Sequence, residues 1–320
     1  MFIRIRALVI VFALAGLATS SHAQAQEQKQ VAITFDDLPV ISTVRTDQGW
    51  AEITNKLLTT MKRNKLPVIG FVNEGKLYNN DKLNPKRVAL LKAWLDAGLE
   101  LGNHTFSHRS LNSTPLAEFQ SDVLRGEKVL RELTKAKHTK PRYFRHPFLH
   151  TGRSLETRQA FESFLNTHGY TVAPVTIDNS EWIFARAYDN ARDANDRAAM
   201  ASVAEAYVPY MESYFAHFEN LSAKLFDRQI KQVLLLHANS INADHFGELV
   251  AMMKKRGYSF ITLSEALTDS AYRSTDTTTG AYGISWIDRW ALTRNVPPGF
   301  FKGEPQTPAF VLKLAGVESG

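Results

Sequence analysis

The sequence predicts an α/β protein whose parallel strands close into a barrel of the TIM type, or a strand-deficient version of it. Three observations carry this. Short apolar, β-branched runs alternate with amphipathic helical stretches, giving about seven units of the order that builds a parallel sheet covered by helices. A length of 320 residues suits one barrel with a core of its own. Most of the apolar runs end in polar residues able to do chemistry, and an α/β barrel gathers its reacting groups where the strands end.

The first strand is expected over residues 30–35, an apolar run that stops at Asp36 and Asp37. Residues 50–62 follow with Trp50, Ile53, Leu57, Leu58 and Met61 at helical spacing. Residues 68–72 form the next strand candidate, and 85–97 a helix closed by Gly98. Residues 99–102 are a short strand before a histidine-rich turn. Thr114, as N-cap, and Pro115, at the first helical position, open a helix that runs to about Leu133. Further strands are expected at 142–144, 171–177, 232–236 and 259–261, with a long helical stretch over 185–228. From Ala271 the chain turns rich in Ser, Thr, Asp and Gly, then carries Trp286, Trp290 and a Pro-rich end. This reads as a C-terminal extension, 271–320, packed on a main domain that spans 26–270.

Residues 1–25 have the form of an export signal. Arg4 and Arg6 precede an apolar run at 7–18, and Ala23-Gln24-Ala25 supplies a cleavage pattern. The run is too short to cross a bilayer, which needs about 20 residues. The expectation is a periplasmic or secreted protein with no transmembrane anchor once the signal is cleaved. Hydrophobic residues make up 44% and charged residues 22%, as in soluble globular proteins. The net charge of +6 is spread without a block of like charges, too mild for a nucleic-acid partner. The chain has no cysteine, which removes disulfides, thiolate metal sites and cysteine nucleophiles together. A metal would have to be held by His, Asp or Glu.

His104 and His108 stand four residues apart, a spacing that on a helical turn puts both imidazoles on one face. The adjacent Asp36 and Asp37 offer a carboxylate to complete a His₂/carboxylate set, leaving the other free as a base. Zinc is the default ion for such ligands, with Co²⁺, Mn²⁺, Fe²⁺ and Ni²⁺ also suited. Arg145, Asp178 through Trp182, and His237 end later strands and would reach the same rim.

In order, Thr34-Phe35-Asp36-Asp37, His104-Thr105-Phe106-Ser107-His108, Arg145-His146-Pro147-Phe148, Asp178-Asn179-Ser180-Glu181-Trp182 and Leu235-Leu236-His237 resemble the five motifs of the polysaccharide deacetylase family, the NodB-homology or carbohydrate esterase family 4 domain. The fourth departs from the family pattern, with Glu181 where Asp is usual. The resemblance implies a distorted (β/α) barrel and metal-dependent hydrolysis of N-acetyl groups on a glycan of amino sugars, such as peptidoglycan, exopolysaccharide or a chitin-like polymer. It implies Asp37, His104 and His108 as metal ligands, Asp36 as base and Arg145 as its partner. It makes His237 the acid, oriented by Asp178 or Glu181. Pro147 and Phe148 would face substrate, with the Phe148 N–H at the oxyanion, while Trp182 and Leu235 line the acetyl pocket. His146 and His150 are expected to face substrate or solvent, and Asn239 is assigned no role. The same site would also serve an O-acetyl esterase or a sugar deformylase, and a non-catalytic sugar-binding relative should lack a ligand or Asp36.

Overall fold

The computed structural model describes residues 29–318, so the segment 1–25, expected to be an export signal, lies outside the described residues. Among the described residues nine strands occur, in the order β1 Lys29–Leu38, β2 Ile69–Val72, β3 Tyr78–Asn79, β4 Lys82–Leu83, β5 Glu100–Asn103, β6 Tyr143–Phe144, β7 Thr171–Val172, β8 Gln232–His237 and β9 Tyr258–Phe260. Seven form one parallel sheet, β7-β6-β5-β2-β1-β8, with β9 also paired to β1. β3 and β4 make a separate antiparallel ribbon. The sheet curls into a half-barrel. After leaving β6, the chain beyond β7 crosses to β8, where the Ile177 N–H donates to the Val233 carbonyl at 3.0 Å and the Leu235 N–H to the Ile177 carbonyl at 3.2 Å.

Alternation along β1 sorts its side chains. Phe35 packs edge-on against Trp94 and Phe246 of the covering helices. Ala32 joins Ile69, Phe71, Tyr143, Ala173 and Val233 in a second apolar cluster. The helix Asp47–Asn64 buries Trp50, Ile53, Leu57, Leu58 and Met61, the stripe its spacing predicts. The C-terminal segment lies against this body: Ile287, Trp290, Val311 and Ala315 are buried, and the Trp286 N–H donates to the Val175 carbonyl at 2.7 Å. No helix among the described residues is long and apolar enough to cross a membrane.

Three local expectations are corrected. β1 does not stop at the aspartates but runs through them to Leu38. Its register on β2 moves from Phe35↔Gly70 to Leu38↔Val72, three steps against two, so one extra residue is bulged out, and Asp37 takes φ 66°. The 104–108 segment is an irregular loop rather than a helical turn, with Thr105 at φ 66° and His108 at φ 53°. The single helix expected from Pro115 to Leu133 is two, Leu116–Arg125 and Lys128–Lys135, and the first begins one residue after Pro115.

The break falls at Gly126 for a steric reason. A Cβ there would stand 2.4 Å from the Thr105 carbonyl carbon and 2.5 Å from the Phe106 nitrogen, so the chain touches the histidine loop backbone to backbone. Gly126→Ala should therefore cost about 1–3 kcal/mol of stability through overpacking. Denaturant unfolding checks this, and an unchanged midpoint would show that the loop yields without cost.

Candidate active site

The bulge in β1 solves a problem that a regular strand poses, because neighbouring residues then face opposite sides. Here both carboxylates approach the same imidazole: His104 Nε2 lies 3.8 Å from Asp36 Oδ2 and 4.0 Å from Asp37 Oδ1. His108 Nε2 is 3.5 Å from Asp37 Oδ1. One ligand atom from each of Asp37, His104 and His108 falls within 4.8 Å of the other two. Asp37 Oδ1 is buried without a hydrogen-bond partner. An orphaned carboxylate oxygen facing two imidazole nitrogens is the donor set a divalent metal uses, so these residues fit such an ion.

The histidine loop is tied down by polar side chains. Asn103 Oδ1 accepts the Thr105 N–H at 2.7 Å, Thr105 Oγ1 accepts the His108 N–H at 2.9 Å, and Asp122 accepts both the N–H and the hydroxyl of Ser107. His104 Nδ1 lies 2.8 Å from the Arg145 carbonyl, which can only accept, so Nδ1 carries the proton and Nε2 is free to ligate. Burial holds His104 well below, and His108 below, the usual imidazole range, which favours the neutral, ligating form.

Arg145 is wholly buried. Its Nη1 stands 3.3 Å from both Asp36 oxygens, Nη2 donates to Thr34 Oγ1 at 3.0 Å, and Nε donates to the Ala173 carbonyl at 2.8 Å. Burial lifts Asp36 against the pull of Arg145, leaving its carboxyl at about 6. For Asp37 burial also acts upward, but Lys76 and the two histidines outweigh it and hold the carboxyl well below the usual range.

Across the site, His237 Nδ1 lies 2.8 Å from Glu181 Oε2. Glu181 is itself buried, and its Oε1 accepts from the amides of Asn239 at 2.6 Å and Asn242. The longer side chain at position 181 thus reaches the imidazole. Asp178 makes no hydrogen bond to it; its Oδ1 accepts the Asn179 N–H at 2.9 Å, and burial pushes its carboxyl up to about 7. Burial would lower His237, yet the charge and hydrogen bond of Glu181 prevail and raise it to about 9.

The remaining predicted residues frame this centre. Pro147 and Leu149 are buried, whereas Phe148 is exposed at φ 57° and sets its ring edge-on to His108, 4.4 Å between centroids. Leu235 is buried, and Trp182, partly exposed, lines the cavity that also touches His237. His146 faces neither substrate nor solvent. It is buried between Phe144 and Phe161, at 5.1 and 5.4 Å, and burial drives its imidazole down to about 3. His150 is partly buried, with Nδ1 2.7 Å from Ser110 Oγ. Three residues escaped sequence reading: Asn239 and Asn242, which hold Glu181, and Lys76, whose Nζ donates to the Asp37 carbonyl at 2.8 Å. Asn239 carried one legible sign, its place as N-cap of the helix Ser240–Lys255.

Fold and site together define a curled α/β barrel with an Asp/His/His cluster at the C-terminal ends of its strands. The family model described as polysaccharide deacetylase matches residues 23–172. The match covers just under half of the chain, and Glu181 and His237 lie beyond it. The peptidoglycan-N-acetylglucosamine deacetylase of Bacillus cereus is 25% identical over 153 residues, 48% of this chain and 46% of that protein, so less than half of the relative's length is matched. A chitin deacetylase from the fungal pathogen Colletotrichum lindemuthianum is 22% identical with a TM-score of 0.51, covering 77% of this chain and 89% of its own. A carbohydrate esterase family 4 pseudoenzyme from Bacillus anthracis is 14% identical with a TM-score of 0.50, over 75% and 66%. At such identities these two structures speak to the fold.

Glu181→Gln removes the largest of the charges that keep His237 protonated, so burial is opposed only by the smaller pulls of Asp37 and Asp36 and the His237 pKa should fall by more than one unit. Ring-proton titration by NMR on metal-free protein measures it. The stabilisation from the raised pKa is fully present below about 6.5 and lost as pH rises through about 9. The stability difference between wild type and variant should shrink over that window.

Proposed function

We propose that this protein is a metal-dependent deacetylase that hydrolyses N-acetyl groups on an amino-sugar polymer or oligomer. One observation carries the reading: a three-residue ligand set is flanked on one side by the Asp36–Arg145 pair and on the other by the His237–Glu181 pair. The family match supports the deacetylase chemistry. The presence of Asp36 together with all three ligand residues speaks against a non-catalytic sugar-binding protein.

Bound at Asp37, His104 and His108, a divalent ion, zinc by default, would polarise the acyl carbonyl and acidify a water molecule. Asp36, held by Arg145, accepts the proton of the attacking water. The Phe148 N–H, in its left-handed turn beside His108, donates to the developing oxyanion. His237 then delivers a proton to the nitrogen as the C–N bond breaks, and acetate and the free amine leave. Glu181 keeps His237 charged and aimed. An amide nitrogen needs that proton to depart far more than a sugar alkoxide does, so this acid equips the site for N-acetyl substrates.

Acetate release should be measured on chitin oligomers, peptidoglycan and acetylated xylan with zinc-loaded and chelator-stripped protein. The zinc-loaded form should be active on amide substrates first, and Asp36→Asn should lower the rate by about 10²–10⁴-fold. Full activity after chelation, or an unchanged rate in the Asn variant, would overturn the proposal.

A further inference from the structure

The cavity beside His237 has a volume of about 770 Å³, within the range of roughly 300–1,000 Å³ that ligand clefts occupy. Its walls carry four cationic side chains, Arg45, Lys76, Arg87 and Arg186, against one carboxylate, Asp189. Most of these charges are already answered. Arg87 donates to Asp47 at 3.0 Å and stacks on Trp50, Lys76 is bound to Asp37, and Asp189 is committed to Ser42, Thr43 and Arg192. Arg45 and Arg186 are exposed and make no hydrogen bond or ion pair among the described residues.

Two free guanidiniums in a cleft whose only acid is consumed leave a positive surplus beside the reaction centre. Guanidinium is planar and pairs with carboxylate through two parallel hydrogen bonds. The same cleft presents Trp182 and Ile41, each 43% exposed, large apolar faces of the kind that cover the C–H face of a sugar ring. We propose that this cleft is a subsite for a carboxylate-bearing sugar adjoining the acetylated residue, with Arg45 and Arg186 as its charge partners. The preferred polymer is then an anionic glycan. This rests on the deacetylase reading and adds the class of its substrate.

The test uses two N-acetylated oligosaccharides alike except that the adjoining sugar carries a carboxylate in one and a carboxamide in the other. Wild type should show a KM about five- to tenfold lower for the acid, and the preference should shrink as salt is raised. In the R45Q/R186Q double variant that ratio should fall towards one. Calorimetric binding of both sugars to chelator-stripped protein reads the same preference without turnover, and equal thermal midpoints confirm that the variant is folded. Arginine-dependent binding of the acid, with no acetate released from either sugar, would keep the subsite and sink the deacetylase reading. Acetate released from both without preference would keep the reaction and overturn the subsite. Tighter binding of a phosphorylated counterpart, or a preference that survives in the double variant, would also overturn it.

Discussion

The site depends on one buried cation. Arg145 sits with no solvent exposure, and three parts of the barrel meet on it. Its guanidinium takes Asp36 and Thr34 from β1 and the Ala173 carbonyl from the chain just after β7, while its own carbonyl fixes the His104 tautomer. Desolvating a guanidinium and a carboxylate is expensive, and their attraction offsets that cost only when the remaining donors are also satisfied. Here every nitrogen of the guanidinium has an acceptor. Removing such a cation would leave Asp36 buried and unpaired, a loss of about 3–5 kcal/mol in comparable pairs.

Around that cation the backbone is held in conformations that L-residues avoid. Asp37, Thr105, His108, Phe148 and Leu149 all have φ between 53° and 66°. Left-handed backbone costs an ordinary residue roughly 1–2 kcal/mol, so neighbours must over-determine each one. Asn103, Asp122 and the glycine contact at Gly126 do this for the histidine loop. The C-terminal extension does it for Phe148, since Gly283 lies so close to the Phe148 carbonyl that any Cβ would collide with it. A tail that reads in sequence as a wrapping thus buttresses one edge of the site.

Much of the fold was legible because burial imposes period. The apolar runs at 30–35, 68–72 and 232–236 each fall within or on the edge of a parallel strand, and the stripe from Trp50 to Met61 is buried as spaced. Local geometry was less legible. The β1 bulge is invisible in sequence, because one residue slipped out of register leaves the apolar pattern intact on either side. The break at Gly126 is hidden because its cause is a contact with residue 105, far along the chain. Four-residue histidine spacing suggested a helix, yet two left-handed residues bring the same imidazoles together in a loop. Lys76, Asn239 and Asn242 belong to no repeating pattern, and only the assembled rim reveals what they touch.

The choice between Asp178 and Glu181 shows how the fold decides what spacing cannot. Both positions follow closely on Ile177, which bridges to β8, and a shorter carboxylate at 181 would fit the family pattern. The helix Glu181–Asp193 begins at that residue, so its side chain starts from the helix N-terminus, where negative charge is favoured. Asn239 and Asn242, one turn apart on the helix after β8, close on one carboxylate oxygen and leave the other for His237. The extra methylene therefore lets one carboxylate bridge two helices and an imidazole together. In the proposed reaction this separates the two proton carriers by environment: a carboxylate beside a buried guanidinium on the base side, and an imidazolium beside a buried carboxylate on the acid side. Each is kept in the charge state its step requires by a partner of opposite sign, without either having to titrate against the other.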